Sequence, residues 1–240
     1  MKDVTILIPT YNEEKHIEQA ILSAIYQAEY VIVSDNCSTD RTPEICDKLS
    51  KEFNNLIVHK QTRNIGWAKN AEFLYSQVKT KYVMNMGGHD YLAPNYVKEL
   101  KKLLENDKDA VMAYSKFINV NDGDEIIGYY DARELTYGVA SDDSFVRVYT
   151  LIKKLSNCSV FFGLCRTQEF INSCDYNPVS GIDQVILCNL VSQGKFIQSI
   201  NTVFYRRYTD RVNNSREYMK RLTAQESNFD LSYIDRKSVV

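Results

Sequence analysis

Two glycines, a histidine and an aspartate stand together at residues 87–90, directly after an apolar run. That run, residues 82–86, is typical of an interior strand of a parallel sheet, and ligands of open α/β sheets bind beyond the carboxyl ends of such strands. Glycine lets a backbone approach a ligand closely, and an imidazole beside a carboxylate offers two ligand atoms to a divalent cation. His89 and Asp90 are therefore candidate metal ligands, while a solvated Gly-Gly turn is the alternative.

Other apolar runs end in polar residues in the same way. Residues 4–8 are followed by Pro9, Thr10, Tyr11, Asn12 and Glu13. Residues 30–33 lead into Asp35, and residues 56–58 lead into Asn64, with Lys69 in the helical pattern beyond it. Strands that alternate with helices predict right-handed parallel crossovers in a doubly wound sheet. All of these polar loops are therefore expected at one edge of the sheet.

Four of these motifs, in this order, resemble those of the family 2 glycosyltransferases. They occupy residues 8–13, 33–42, 64–70 and 87–90. Members of that family are inverting enzymes of the GT-A fold that use sugar nucleotides. The resemblance is strong over residues 1 to about 100 and weaker beyond, and an ordered set of motifs is more specific than any single one.

The resemblance implies an α/β protein of GT-A type, with a Rossmann-like, mostly parallel sheet flanked by helices and with acceptor-side insertions in the second half. It implies one catalytic domain over residues 1–210. Residues 1–95 would form the nucleotide-sugar half and residues 96–210 the acceptor half. Residues 211–240 are expected to form a helical, basic tail.

The same resemblance assigns roles to residues of the loops. Tyr11 would pack on the nucleobase and Asp35 would accept a hydrogen bond from it; the alternatives are a lid-packing ring and a turn residue that bonds its own backbone. The nucleotide-sugar site would further include Pro9, Thr10, Asn12, Glu13, Asn64, Lys69, Gly88 and Arg206. Glu13 has an alternative role, because an acid in the first turn of a helix gains from the helix dipole without any ligand. The alternative for Lys69 is a solvated side chain.

The chain departs from the family pattern at residues 87–90. Many relatives carry an Asp-x-Asp or Gly-Asp-Asp-Asp motif here that chelates a divalent ion, whereas this chain has Gly87, Gly88 and His89 and retains only Asp90. Three outcomes stay open: a divalent cation, Mn or Mg, held by His89, Asp90 and the diphosphate; metal-free stabilisation by Lys or Arg; or an inactive protein.

The second half of the chain supplies the expected base. By resemblance, Asp183 opens the last catalytic helix and removes the proton of the acceptor hydroxyl, with helix capping as its alternative role. Arg206 would stabilise the diphosphate, or the basic aromatic cluster around it would rest on an anionic membrane surface. Residues 158–163 are predicted as a strand beside the acceptor. Asp122-Gly123-Asp124 has the composition of a turn and is not assigned as the metal site.

Composition limits the classes of function. With 240 residues, 44% of them hydrophobic, the chain can bury one sizeable core, and 29 basic against 31 acidic residues argue against a nucleic-acid binder. No apolar run is long enough to span a bilayer and the chain begins with its first strand, which predicts a cytoplasmic protein or one peripheral to the inner face of the membrane. The six cysteines contain no Cys-x-x-Cys pair, so reduced thiols are expected.

The function predicted from the sequence is therefore an inverting glycosyl transfer in surface polysaccharide or glycoconjugate assembly. The donor would be a UDP-sugar, with dTDP- and GDP-sugars as alternatives, and the acceptor a hydroxyl of a glycan or lipid-linked saccharide. A catalytically inactive nucleotide-binding module is the main competing hypothesis. A sugar nucleotidyltransferase is disfavoured, because residues 9–12 make a poor triphosphate cradle.

Overall fold

The computed structural model describes residues 2–174 and 181–208, so the tail predicted for residues 211–240 lies outside the described part. The strands are β1 (Val4–Thr10), β2 (Tyr30–Asp35), β3 (Leu56–Lys60), β4 (Tyr82–Asn85), β5 (Tyr91–Leu92), β6 (Ala110–Val120), β7 (Ile126–Tyr130), β8 (Leu164–Arg166) and β9 (Lys195–Arg207). The α-helices are α1 (Ile17–Ile25), α2 (Thr42–Glu52), α3 (Trp67–Ser76), α4 (Tyr96–Asn106), α5 (Arg133–Val139), α6 (Ser144–Lys154), α7 (Thr167–Ser173) and α8 (Ile182–Gln193).

The first four strands form a parallel sheet in the order β3-β2-β1-β4, and helices follow β1, β2 and β3 along the chain. β1 and β2 are almost wholly buried, which explains why they are continuous apolar runs rather than alternating ones. Thr10 is paired with Asp35 at the ends of β1 and β2. Because the strands are parallel, the loops that follow them open at the same edge of the sheet.

The second half of the chain extends this sheet with mixed pairing. The order continues β4-β8-β6-β9-β5, with β8 antiparallel to both of its neighbours, and β7 pairs with β6. β6 and β9 are parallel, and β9 also pairs antiparallel with the short β5 directly after residues 87–90. β9 therefore connects the second half of the chain to the polar loop after β4.

One local prediction is wrong. Residues 158–163 are not a strand: Cys158–Phe162 form a 3-10 helix, because the side chain of Asn157 accepts the N–H of Ser159 and Phe161 turns inward against the core. Thr42 is the first residue of α2, and its hydroxyl accepts the N–H of Glu13 at 2.8 Å.

The cysteines are thiols, as predicted, and several are core residues. Burial raises the pKa of the Cys46 thiol to about 12, which keeps it protonated and unreactive at neutral pH. Across the described residues, no helix combines the length and the apolar character needed to cross a membrane.

Candidate functional site

The loops after β1 and β2 are joined by the side chains of Asn12 and Ser38. Asn12 has a left-handed backbone, with φ of 55°, which asparagine tolerates better than most residues. Its N–H donates to Ser38 Oγ at 2.8 Å, and its Oδ1 accepts the N–H of Thr39 at 2.8 Å. Asn12 therefore holds two strand-end loops together in addition to any contact with a ligand.

Asp35 lies at the end of β2 with only 2% of its surface exposed. Its carboxylate accepts the hydroxyl proton of Ser38 and, at 3.2 Å, the N–H of the same residue. These are the contacts of a turn residue, one of the two roles considered for it. They also fix the carboxylate at the edge of the sheet, and its contact with a nucleobase stays a prediction.

Asn36 is a residue of this edge that the sequence motifs did not single out. Its Nδ2 donates to Asn64 Oδ1 at 3.0 Å, and its Oδ1 accepts the N–H of Ile65 at 2.9 Å. Asn64 Oδ1 also accepts the N–H of Gly66 at 2.9 Å. The amide of Asn64 is thereby held in one orientation. In the sequence, Asn36 was marked only by its position directly after Asp35, at the end of a strand.

Tyr11 and Lys69 are the exposed members of the predicted nucleotide site. Tyr11 has 37% of its surface exposed, and Lys69 is an exposed residue in the first turn of α3. Neighbouring Asn70 is buried instead, with Oδ1 accepting the hydroxyl of Ser34 at 2.6 Å and Nδ2 donating to the Ser34 carbonyl at 3.0 Å. An aromatic face and an ammonium group therefore border this edge, while Asn70 fixes α3 to β2.

Close packing explains both glycines after β4. A Cβ on Gly88 would stand 2.7 Å from Thr10 Oγ1 and 3.2 Å from Glu13 Cγ. A Cβ on Gly87 would stand 2.7 Å from Asp90 Oδ2 and 3.3 Å from His89 Nε2. Any side chain at either position would displace a residue of the candidate site.

His89 is oriented by Glu13, a contact that the sequence did not predict. The Nδ1 atom of His89 lies 3.1 Å from Glu13 Oε1, and Glu13 has only 8% of its surface exposed. A carboxylate at Nδ1 favours the tautomer that carries its proton there, so the lone pair of Nε2 faces the other way. Nε2 lies 3.8 Å from Asp90 Oδ1.

Asp90 is held by β9. Its carboxylate Oδ1 accepts the N–H of Arg207 at 2.8 Å, and only 1% of its surface is exposed. The side chain of Arg207 is itself buried and donates from Nε to the carbonyl of His89 at 3.0 Å. Arg207 was not among the predicted site residues; its neighbour Arg206 was.

Asp183 is the second residue of α8, and Gly181, with φ of 80°, is the N-cap. Asp183 Oδ1 accepts the N–H of Gln184 at 3.0 Å, so the carboxylate lies at the start of the helix without being its cap. Cys158 contacts it from the 3-10 helix. Burial, and next the negative charge of Asp183, raise the pKa of the Cys158 thiol to about 12, so the thiol stays a hydrogen-bond donor.

Arg206 reaches the same 3-10 helix from β9. Its Nη1 donates to Ser159 Oγ at 2.7 Å, and its guanidinium lies 5.0 Å from the ring centre of Tyr208. Because Ser159 follows Cys158 directly, Arg206 and Asp183 meet at one turn of chain. Arg206 also directly precedes Arg207, so β9 joins this second cluster to the His89–Asp90 pair.

The sequence pattern of glycosyl transferase family 2 matches residues 5–157, which is more than half of the chain. The chain belongs to glycosyl transferase family 2. Glycosyltransferase GlyA of Streptococcus pneumoniae is 26% identical over 69% of this chain and 22% of its own length. Chondroitin synthase of Pasteurella multocida is 28% identical over 92% of this chain and 26% of its own length. This family 2 chain therefore spans only about a quarter of those two relatives.

Solved structures agree on the fold. The crystal structure of S. aureus TarS 1-349 in complex with UDP-GlcNAc has a TM-score of 0.67 and 19% sequence identity, over 89% of this chain and 60% of that one. This similarity confirms the predicted α/β fold of GT-A type for the family 2 chain.

The residues near Gly87 fit the divalent cation that the family 2 resemblance implies. His89 Nε2 and Asp90 Oδ2 both border the space that a Cβ on Gly87 would fill, at 3.3 and 2.7 Å from that point. An imidazole nitrogen with a carboxylate oxygen suits Mn²⁺ better than Mg²⁺. Within residues 2–174 and 181–208, no group of three or more His, Cys, Asp or Glu side chains is arranged to hold a metal ion. The described residues therefore offer two candidate ligands, and a bound cation would need further ligands from elsewhere.

Proposed function

We propose that this chain transfers a sugar from a nucleoside-diphosphate sugar to a hydroxyl of a glycan or lipid-linked saccharide, with inversion at the anomeric carbon. The observation that carries the proposal is the convergence of four strand-end loops at one edge, next to a second cluster that contains a carboxylate. The loops present Tyr11, Asp35, Asn64 and Asp90, and the second cluster presents Asp183.

UDP is the nucleotide we propose for the donor, ahead of dTDP and GDP. The exposed ring of Tyr11 offers a face for a base, and the carboxylate of Asp35 can accept the imide N–H of a pyrimidine once Ser38 gives way. The similar TarS structure was solved with UDP-GlcNAc, which supports the same class of donor. The name of one relative, chondroitin synthase, supports a saccharide acceptor.

Asp183 is the proposed general base. Its carboxylate takes the proton of the acceptor hydroxyl as the oxygen attacks the anomeric carbon, and the nucleoside diphosphate departs from the opposite face. Asp183 lies in the first turn of α8, where the helix dipole favours a negative charge. The thiol of Cys158 restricts the orientation of the carboxylate.

Charge on the departing diphosphate must be balanced. Arg206, held by Ser159, is the proposed protein cation for this purpose. His89 and Asp90 would hold a divalent cation, which neutralises phosphate charge when it is bound. Lys69 at the start of α3 would add a further positive charge.

A panel of nucleotides and sugar nucleotides read by thermal unfolding tests this proposal. UDP at about 100 times its dissociation constant stabilises a protein by about 2.7 kcal/mol, which raises the melting temperature of a chain of this size by about 5–11 °C. The largest shift is expected with UDP and UDP-sugars in the presence of Mn²⁺. The proposal is wrong if no nucleotide shifts the melting temperature.

An inactive nucleotide-binding module is the second candidate, and one observation favours it. Gly87 and Gly88 stand where many relatives of the resembled family carry acids, and their packing leaves no room for acidic side chains. This candidate predicts the same thermal shifts with UDP but no release of UDP from any donor, with or without acceptors. Measured UDP release from one sugar nucleotide would eliminate it.

A further inference from the structure

Arg207 stands out as a buried cation that the proposed chemistry does not use. Only 3% of its surface is exposed, and its guanidinium lies 5.6 Å from the ring centre of Tyr91. We propose that Arg207 is the positioning residue that sets the geometry of the His89–Asp90 pair for a divalent cation and the donor diphosphate. This inference rests on the proposed function, because it concerns the same site.

The first step is that Arg207 holds both members of the pair. Its backbone N–H fixes one carboxylate oxygen of Asp90 at 2.8 Å, and its Nε fixes the carbonyl of His89 at 3.0 Å. With Oδ1 engaged by Arg207, the second oxygen, Oδ2, is the one directed to the space beside Gly87. The main chain of Arg207 therefore orients the metal-facing oxygen of Asp90. The side chain of Arg207 acts on the pair through the backbone of His89, which it holds in place next to Asp90.

The second step is that Arg207 is anchored on two other elements. Nη2 donates to Gln19 Oε1 of α1 at 2.7 Å and to the carboxylate of Asp124, and Nη1 donates to the carbonyl of Asn121. Residues 121–125 form the turn between β6 and β7. Each guanidinium nitrogen is thus engaged, and the loop after β4 is fixed relative to α1 and to that turn.

These contacts separate the roles of the two neighbouring arginines. The nitrogens of Arg207 are directed at carbonyls and carboxylates of the protein, so Arg207 is a positioning residue rather than a ligand of the diphosphate. Arg206 is half-buried and lies on the other side of β9, beside Ser159. The planar fork of Arg207 is essential to its role, because a lysine ammonium cannot reach three acceptors on three elements.

Arg207→Lys is the test variant and Arg147→Lys is its matched control. Arg147 is also buried and donates to four carbonyls, those of Ser141, Asp142, Val191 and Ser192, none of which belongs to the candidate site. Both substitutions keep the charge and lose a set of buried contacts. A purely structural role for Arg207 predicts the same behaviour from both variants.

The decisive measurement is Mn²⁺ binding in the presence of saturating UDP. Binding is monitored as the loss of the electron paramagnetic resonance signal of free Mn²⁺. Loss of a residue that orients metal ligands weakens metal binding by roughly 10- to 100-fold. We expect a loss of this size for Arg207→Lys only, while both variants lose comparable thermal stability and bind UDP in chelator about as the parent protein does.

The outcomes are distinguishable. A parent protein that binds no UDP overturns the proposed function itself. A parent that binds UDP but no Mn²⁺, or an Arg207→Lys protein that binds Mn²⁺ as tightly as Arg147→Lys, overturns only the role of Arg207. If Arg207→Lys does not fold, Asp124→Asn is used in its place. Asp124 is half-exposed, and its replacement weakens only the contact that anchors the Arg207 guanidinium. Unchanged Mn²⁺ affinity in Asp124→Asn also overturns the inference.

Discussion

Replacing Gly88 with alanine should destabilise the protein, and the structure gives the size of the effect. The added Cβ would stand 2.7 Å from Thr10 Oγ1, 3.1 Å from Thr10 Cβ and 3.2 Å from Glu13 Cγ, so two neighbouring residues must move. Adding one methyl group to such a packed position costs about 1–3 kcal/mol. For a chain of this size, that loss lowers the melting temperature by about 2–12 °C.

A double-mutant cycle with Thr10→Ala isolates the cause. Thr10 Oγ1 is buried and has no hydrogen-bond partner among the described residues, so its removal strands no other polar group. The closest contact of the new Cβ disappears in the double variant. We therefore expect Gly88→Ala to cost less in the Thr10→Ala background, by roughly 0.5 kcal/mol or more, in thermal unfolding monitored by circular dichroism.

Gly123→Ala is the matched control. A Cβ on Gly123 would meet only Asn121 Oδ1, at an ordinary 3.5 Å, so the change should stay within about 0.5 kcal/mol of the parent. Gly88→Ala should also weaken UDP binding, because Thr10 and Glu13 border the proposed donor site, and Gly123→Ala should not. If Gly88→Ala is as stable as Gly123→Ala, the packing around Gly88 is not tight and the explanation given for the glycine is refuted.

Four further predictions test individual side chains. Asp183→Asn should lower the rate of UDP release by a factor of about 10²–10⁴. The melting temperature should change little, because Asp183 is not the cap of α8. Near-normal turnover in this variant would rule out Asp183 as the base. Asp35→Ala should weaken UDP binding by about 1–3 kcal/mol in calorimetry, and unchanged affinity in a folded protein would remove its role in base recognition. Mn²⁺ should bind far more tightly with UDP than without it, because two protein ligands leave most coordination positions unfilled; equal binding by equilibrium dialysis would contradict this. Burial acts to raise the pKa of Asp124, but the hydrogen bond from Arg207 and its charge outweigh this and hold that pKa below its usual range. The ionised Asp124 therefore stabilises the fold above about pH 4, and this stabilisation is lost as the pH falls through the lowered pKa. The melting temperature of Asp124→Asn should accordingly fall less than that of the parent protein between about pH 5 and pH 3. Identical acid profiles for the two proteins would refute this prediction.

The strand ends were predictable because a buried parallel strand must be apolar over its whole length. The polar residues after β1, β2 and β4 therefore stand out in the sequence, and parallel pairing brings them to one edge. Asp183 was predictable at the start of α8 only with the help of the family resemblance, since the local pattern fits a helix cap equally well. In the structure Asp183 lies one residue inside the helix and is not its cap, and its role as the base stays a prediction.

The remaining site residues depend on tertiary contacts that leave no local pattern. Glu13 and His89 are far apart in sequence, and Arg207 meets Asp90 only because β9 pairs with β5. The strand predicted for residues 158–163 failed for a related reason. Its residue types favour a strand, but the Asn157 side chain caps a 3-10 turn and Phe161 gains more by packing against the ring of Phe170.

The pairing of β9 has a consequence for how the molecule unfolds. β9 lies between β6 and β5, and β8 covers the edge of β4, so the sheet crosses the boundary that the sequence placed at residues 95 and 96. Residues 1–95 produced alone would have an unpaired β4 edge and would lack the Arg207 N–H that fixes Asp90. The amide protons of β4 and β9 should therefore exchange with solvent as one cooperative unit. A donor-binding half cannot be excised from this chain at that boundary and keep its site.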